Sequence, residues 1–165
     1  MVLQRQSNNT AKLTNGLISP VKAYVDLSFN RICDPSHLKT AFSATNYIAW
    51  IRLASNCLTH VSSDVFTGDV NGGTLTFIDM SSNVIEEIND DAFANLVNLQ
   101  YLMLRNNSIR VLNQTVFKDL NSLKGLDLGM NKLLAIHKYL FGFNKQLLYI
   151  EIDANYEDLF PVGNL

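Results

Sequence analysis

An asparagine recurs every 24 residues through the second half of this chain, at Asn83, Asn107, Asn131 and Asn155, and each closes the same apolar frame. Residues 75–83, 99–107, 123–131 and 147–155 all read L-x-x-L-x-L-x-x-N, with any aliphatic residue allowed at the leucine places. The phase runs on past each asparagine. Ile85, Ile109 and Leu133 stand two residues later, Ile88, Leu112 and Ile136 five later, and Phe93, Phe117 and Phe141 ten later. Leu96 and Leu120 close the first two units. Self-similarity at a fixed period of this length predicts a solenoid, in which one small unit is repeated and stacked. Two looser copies lie upstream. Residues 48–56 end at Asn56 and continue with Leu58, Val61 and Phe66, then take three extra residues around 71–73. Residues 25–30 end at Asn30 and continue with Ile32.

The residue types say what each place does. An L-x-L step puts two side chains on one face of a short strand, because strand side chains alternate. Those side chains point into the coil, and the residues between them face outward. The asparagine stands where the chain leaves the strand, and its amide both donates and accepts. It can therefore satisfy backbone groups that the turn would otherwise orphan inside the coil, at about 1–3 kcal/mol each. The phenylalanines Phe66, Phe93, Phe117 and Phe141 fill the far side. Six or seven buried side chains do not offset the ordering of a whole coil, so neighbours must cover both faces. The expected fold is an α/β-type solenoid: an arc with a short parallel β-sheet on its concave face and loops or short helical and 3-10 turns on its convex face. Residues 1–21 read as an irregular N-terminal segment or decayed repeat, and residues 22–165 as about five to six coils marked by Asn30, Asn56, Asn83, Asn107, Asn131 and Asn155.

Composition narrows the function classes. The chain is 47% apolar and 17% charged with a net charge of −2, an ordinary folded protein without the clustered basic surface that phosphate binding needs. Nucleic acid is therefore not an evident partner. No run of 18 apolar residues occurs, and the first residues lack the apolar core of a signal peptide. His37, His60 and His137 fall at unrelated phases of the repeat, with no metal-ligand spacing around them. The pairs Glu86-Glu87 and Asp90-Asp91 read as solvated turns, and no phosphate loop or nucleophile elbow stands out. No enzyme and no cofactor are expected.

This pattern closely resembles the 24-residue leucine-rich repeat of animal extracellular proteins, the class of Toll and Toll-like receptor ectodomains, Slit-like guidance proteins and insect leucine-rich immune proteins. The phenylalanine column sets it apart from the plant and short intracellular repeat types. The resemblance implies an extracellular or cell-surface recognition module that binds a protein or other macromolecule on its concave face, alone or as a homo- or heterodimer. A structural or adhesive matrix or guidance component is the alternative. Family members usually close with cysteine-rich caps, whereas Cys33 and Cys57 both sit inside repeats here. Their places on neighbouring coils leave two readings open, a disulfide or a pair of small buried hydrophobes. With no cap and no leader in view, the chain is expected to be a segment of a longer ectodomain.

The outward strand positions form columns. The first holds Tyr24, Trp50, Phe77, Tyr101, Gly125 and Tyr149, and the second holds Asp26, Arg52, Asp79, Met103, Asp127 and Glu151. The third holds Ser28, Ala54, Ser81, Arg105, Gly129 and Asp153. An aromatic stripe beside an acidic one suits a partner-binding face, centred on Trp50, Phe77, Tyr101 and Arg105. Cross-strand stacking accounts for the same aromatics without a ligand. Asn8, Asn106 and Asn113 open N-x-S/T sequons, and of these Asn113, in the turn after a strand, is the expected glycan site if the chain is secreted.

Overall fold

A computed structural model of the chain describes residues 2–3, 23–36, 38, 42, 48–63, 65, 66 and 73–155. The segment before Ala23 (apart from Val2 and Leu3), the Asn8 sequon, His37, most of the insertion after Phe66 and the residues after Asn155 lie outside these.

Each L-x-L step is a strand, and the strands add to one parallel sheet. The elements are β1 (Val2–Leu3), β2 (Ala23–Asp26), β3 (Ile48–Arg52), β4 (His60–Val61), β5 (Phe77–Asp79), β6 (Glu87–Ile88), β7 (Tyr101–Met103), β8 (Gly125–Asp127) and β9 (Tyr149–Glu151). The main sheet runs β1-β2-β3-β5-β7-β8-β9, every pair parallel. Its register keeps equivalent positions side by side: Tyr24 pairs with Trp50, Trp50 with Phe77, Phe77 with Tyr101, Tyr101 with Gly125 and Gly125 with Tyr149. One irregularity breaks it, between Ala23 and Tyr24, where Ala49 is passed over. The sheet extends one strand further than the clear repeats do, because Val2 and Leu3 pair with Tyr24 and Val25. A second, two-stranded sheet joins β4 to β6 on the flank, pairing His60 with Glu87.

The core is the stack of inward residues. Ile51, Ile78, Leu102 and Leu126 occupy the middle of the sheet, with Leu53, Met80, Leu104 and Leu128 two residues on, all buried. On the convex side of the coils from Asn83 onward, three-residue hydrogen-bonded turns such as Leu96 N–H to Phe93 C=O and Leu120 N–H to Phe117 C=O carry the chain round, while upstream Ser36, Leu38 and Phe42 are helical. Behind them runs a spine of stacked rings, Phe42, Phe66, Phe93, Phe117 and Phe141, with centroids 6.1–6.3 Å apart. Phe42 stands twelve residues after Asn30 rather than ten, an offset that the repeat alone does not announce.

The asparagines form a ladder. Asn107 Nδ2 donates to Leu104 C=O in its own coil at 2.9 Å and to Met80 C=O in the previous coil at 3.0 Å. Its Oδ1 accepts the N–H of Ile85, also in the previous coil, at 3.0 Å. Asn56, Asn83, Asn131 and Asn155 repeat all three bonds within 2.8–3.1 Å. Every amide thus satisfies three backbone groups and ties two coils together. The residue before each asparagine adopts a left-handed backbone, with φ of 52–56° at Phe29, Ser55, Ser82, Asn106, Met130 and Ala154. None of these is glycine, so each turn carries a strain on the order of 1–3 kcal/mol that the ladder must offset.

Candidate functional site

The outward columns are solvent-facing in register, and they divide into two parts. In the N-terminal part the rings touch. Tyr24 meets Trp50 edge-on with centroids 5.2 Å apart, and Trp50 meets Phe77 at 5.4 Å. Among the described residues the series of ring contacts in this column ends at Phe77. Trp50 remains 41% exposed, which leaves much of the largest ring on the sheet open to a partner. The guanidinium of Arg52 lies 5.8 Å from the Trp50 ring centre and 5.7 Å from that of Phe77, a cation–π placement on both. In register, Arg52 is flanked by Asp26 on β2 and Asp79 on β5.

In the C-terminal part, two glycines of one coil open the floor and side chains from the coils on either side cross it. Arg105 reaches over Gly129 to Asp153, two coils on, in a bidentate pair of 2.7 Å bonds, and it also contacts Asp127 at 3.4 Å. A Cβ at Gly129 would collide with this bridge. The Tyr149 ring lies over Gly125 in the same way, and a Cβ there would meet it directly. The hydrogen bond from Arg105 holds the Asp153 carboxyl below the usual carboxylate range. Arg105 in turn is more firmly protonated, first through that bond. Burial raises the Tyr149 hydroxyl above its ordinary value, helped by the fields of Tyr101, Asp127 and Glu151.

The acidic column carries a task that the columns alone did not reveal. Asp26, Asp79 and Asp127 each accept, through Oδ1, the backbone N–H two residues on, from Ser28, Ser81 and Gly129, at 2.9–3.0 Å. These are Asx turns that end the strand. The D-x-S and D-x-G spacing was the available signal for them. Met103, Tyr101 and Phe77 are half-buried, while Tyr149 and Glu151 are exposed at the last strand.

Away from the sheet, Cys33 and Cys57 are joined in a disulfide between neighbouring coils, which decides between the two readings of that pair. Asn113 is exposed, with Oδ1 accepting both the N–H and the hydroxyl of Thr115 at 3.0 Å. Asn106 is exposed, has a left-handed backbone and donates to Ser82 Oγ at 3.2 Å. His60 and His137 lie on separate coils, His60 beside Thr59 and His137 against Tyr139. Among the described residues no three His, Cys, Asp or Glu side chains gather as a metal site, and no helix is long and apolar enough to cross a membrane.

Comparison with known proteins agrees with this architecture. Residues 98–156 match the family model described as "Leucine rich repeat". Toll-like receptor 9 of Felis catus is 35% identical over 142 residues, covering 82% of this chain and 14% of the receptor. The solved TLR13–ssRNA13 complex superposes with a TM-score of 0.67 at 31% identity, over 76% of this chain and 17% of that one. The Drosophila Toll–Spatzle complex shares the fold, with a TM-score of 0.56 at 24% identity, over 80% of this chain and 22% of that one. The chain spans about an eighth of the length of the curated relatives that it matches.

Proposed function

The chain belongs to the family of leucine-rich-repeat proteins, and on that premise we propose that it is a recognition module that holds a macromolecular ligand against its concave sheet. The observation that carries this is the outward aromatic run of exposed Tyr24 and Trp50 and half-buried Phe77, with Arg52 among its rings. The core is already filled by the inward residues, and Trp50, though stacked between its neighbours on the sheet, still keeps 41% of its surface open. Aromatic and arginine side chains are the residue types that dominate binding hot spots. The likeness to the TLR13–ssRNA13 and Toll–Spatzle complexes supports a macromolecular ligand. The relatives that the chain matches are receptors, and a disulfide fits an oxidising, extracellular or cell-surface setting. A receptor ectodomain in innate immune signalling, glycosylated at Asn113, is the reading we favour for the whole protein.

Replacing Trp50 and Phe77 with alanine tests it. A single-stranded RNA and a lysine-rich polypeptide serve as the two probes, measured by fluorescence anisotropy. Whichever probe binds is expected to lose at least tenfold in affinity, equivalent to about 1.4 kcal/mol, in the double variant. Exchanges on the convex turns, such as Asp91→Asn, should leave binding intact. Affinity that survives the loss of both rings places the ligand elsewhere and ends the proposal.

A further inference from the structure

We infer that the occupant of the concave sheet is a cationic polypeptide segment, an inference that rests on the recognition reading above and narrows it to one class of partner. Five carboxylates stand on the outward columns, Asp26, Asp79, Asp127, Glu151 and Asp153, against two guanidiniums, Arg52 and Arg105. Both guanidiniums are already engaged. Arg105 is spent on Asp153 and Asp127, and Arg52 lies against two rings with aspartates on both neighbouring strands. A phosphate backbone would meet an excess of three negative charges, and nucleic-acid affinity depends on Lys and Arg contacts to phosphate.

The carboxylates are differently placed. Asp26 and Asp79 each use only Oδ1, for the turn, and Oδ2 of each carries no hydrogen bond among the described residues, while Asp127 shares its Oδ1 between the turn and Arg105. Glu151 is exposed at β9. From β2 to β9 the column crosses five strand spacings, roughly 24 Å at about 4.8 Å each. A helix of about sixteen residues covers that length. Beside the column lie the rings of Tyr24, Trp50 and Phe77, whose faces attract cations as well as apolar groups. Acids for ammonium and guanidinium heads, with rings for their stems and for intervening apolar residues, complement a basic amphipathic segment.

The test uses the whole chain and three probes: a lysine–leucine peptide of about sixteen residues, its glutamate–leucine counterpart, and a single-stranded RNA of matching span. Asp79→Asn with Glu151→Gln removes two charges from the column, and Asn keeps the Oδ1 acceptor that the Ser81 turn needs. Asp91→Asn with Glu86→Gln removes two charges elsewhere, and thermal melts of both variants check the fold. The lysine peptide is expected to bind, to lose about five- to tenfold in affinity with the first pair and in Trp50→Ala, and to ignore the second pair. Peptide binding that is weakened equally by both pairs, or no peptide binding at all, overturns the inference. RNA binding that depends on Trp50 also overturns it, yet leaves the concave recognition reading standing. Peptide and RNA binding that are both indifferent to Trp50 sink the two together.

Discussion

The coils through Asn56 and those from Asn83 onward are built from the same parts but are held together differently. From Asn83 to Asn155 the period is a constant 24 residues, and Asn83, Asn107 and Asn131 are buried to 6–7% exposure. Upstream the spacing drifts to 26 residues between Asn30 and Asn56 and 27 between Asn56 and Asn83, and both of those amides are half-exposed. There the sheet register slips at Ala49, and the flank carries a disulfide from Cys33 to Cys57. A regular stack satisfies its turns with side-chain amides shielded from water, where such bonds are strongest. Where the amides are wetter, a covalent link on the same flank does part of the same work. The asparagine ladder is thus a cooperative device whose value depends on burial.

The largest expected effect comes from the ladder itself. Replacing Asn107 with leucine leaves the C=O groups of Leu104 and Met80 and the N–H of Ile85 without their partner in the core. At about 1–3 kcal/mol for each orphaned group, the loss is at least about 3 kcal/mol. Asn30, by contrast, is half-exposed, so the Leu27 and Ser28 C=O groups to which it donates lie within reach of water. Asn30→Leu should therefore cost about 1 kcal/mol. Urea unfolding midpoints separate the two, and equal costs would show that burial does not set the value of the amide.

These elements were legible in the sequence to very different degrees. The asparagine, leucine and phenylalanine places could be read because identical stacked coils must repeat the same environment, so periodicity alone exposes them. The outward columns followed from strand alternation once the asparagines gave the register. What one side chain does to its neighbour was not legible. That Gly125 and Gly129 clear room for Tyr149 and for the Arg105–Asp153 bridge depends on contacts between coils, whereas the Asp79 turn is local and left its trace in the D-x-S spacing. Asn144 is a further case. It falls in the column of Leu96 and Leu120, donates to Phe117 and Leu120 C=O, and leaves its buried Oδ1 unpartnered. The cysteine pair also stayed open, since two residues on adjacent coils bond or merely pack depending on angstroms that spacing does not encode.

Removing the covalent link should loosen the irregular coils first. The disulfide closes 24 residues, so a chain-entropy estimate assigns it roughly 3 kcal/mol. Cys33→Ala with Cys57→Ala should raise amide hydrogen exchange at Val25, Leu27 and Phe29, whose strand and turn bonds run to the coil of Asn56. Exchange at Leu104 and Leu128 should not change. Uniform loosening along the whole stack would show that the link serves every coil and not the irregular ones alone.

The smallest effect is expected at the Arg105–Asp153 bridge, although it is the most conspicuous ion pair on the sheet. Both partners are open to water, with side chains 35% and 53% exposed, and such pairs contribute little to stability. What the bridge does change is titration. The folded carboxyl of Asp153 titrates below its unfolded value, so whatever stability it adds is present above the unfolded pKa and is lost as pH falls through the folded one. The effect is thus confined to the acid side of about pH 4, and nothing should be seen near neutrality. Carboxyl carbon shifts followed by NMR give the direct reading. Asp153 should titrate below the ordinary aspartate range, and Arg105→Ala should return it to that range. Because Gly129 leaves the span open, Gly129→Ala should move Asp153 in the same direction with both charges still present. An unshifted Asp153 in that variant would mean that Arg105 reaches its partner without the gap, and that the glycine coil differs from its neighbours only in lacking side chains.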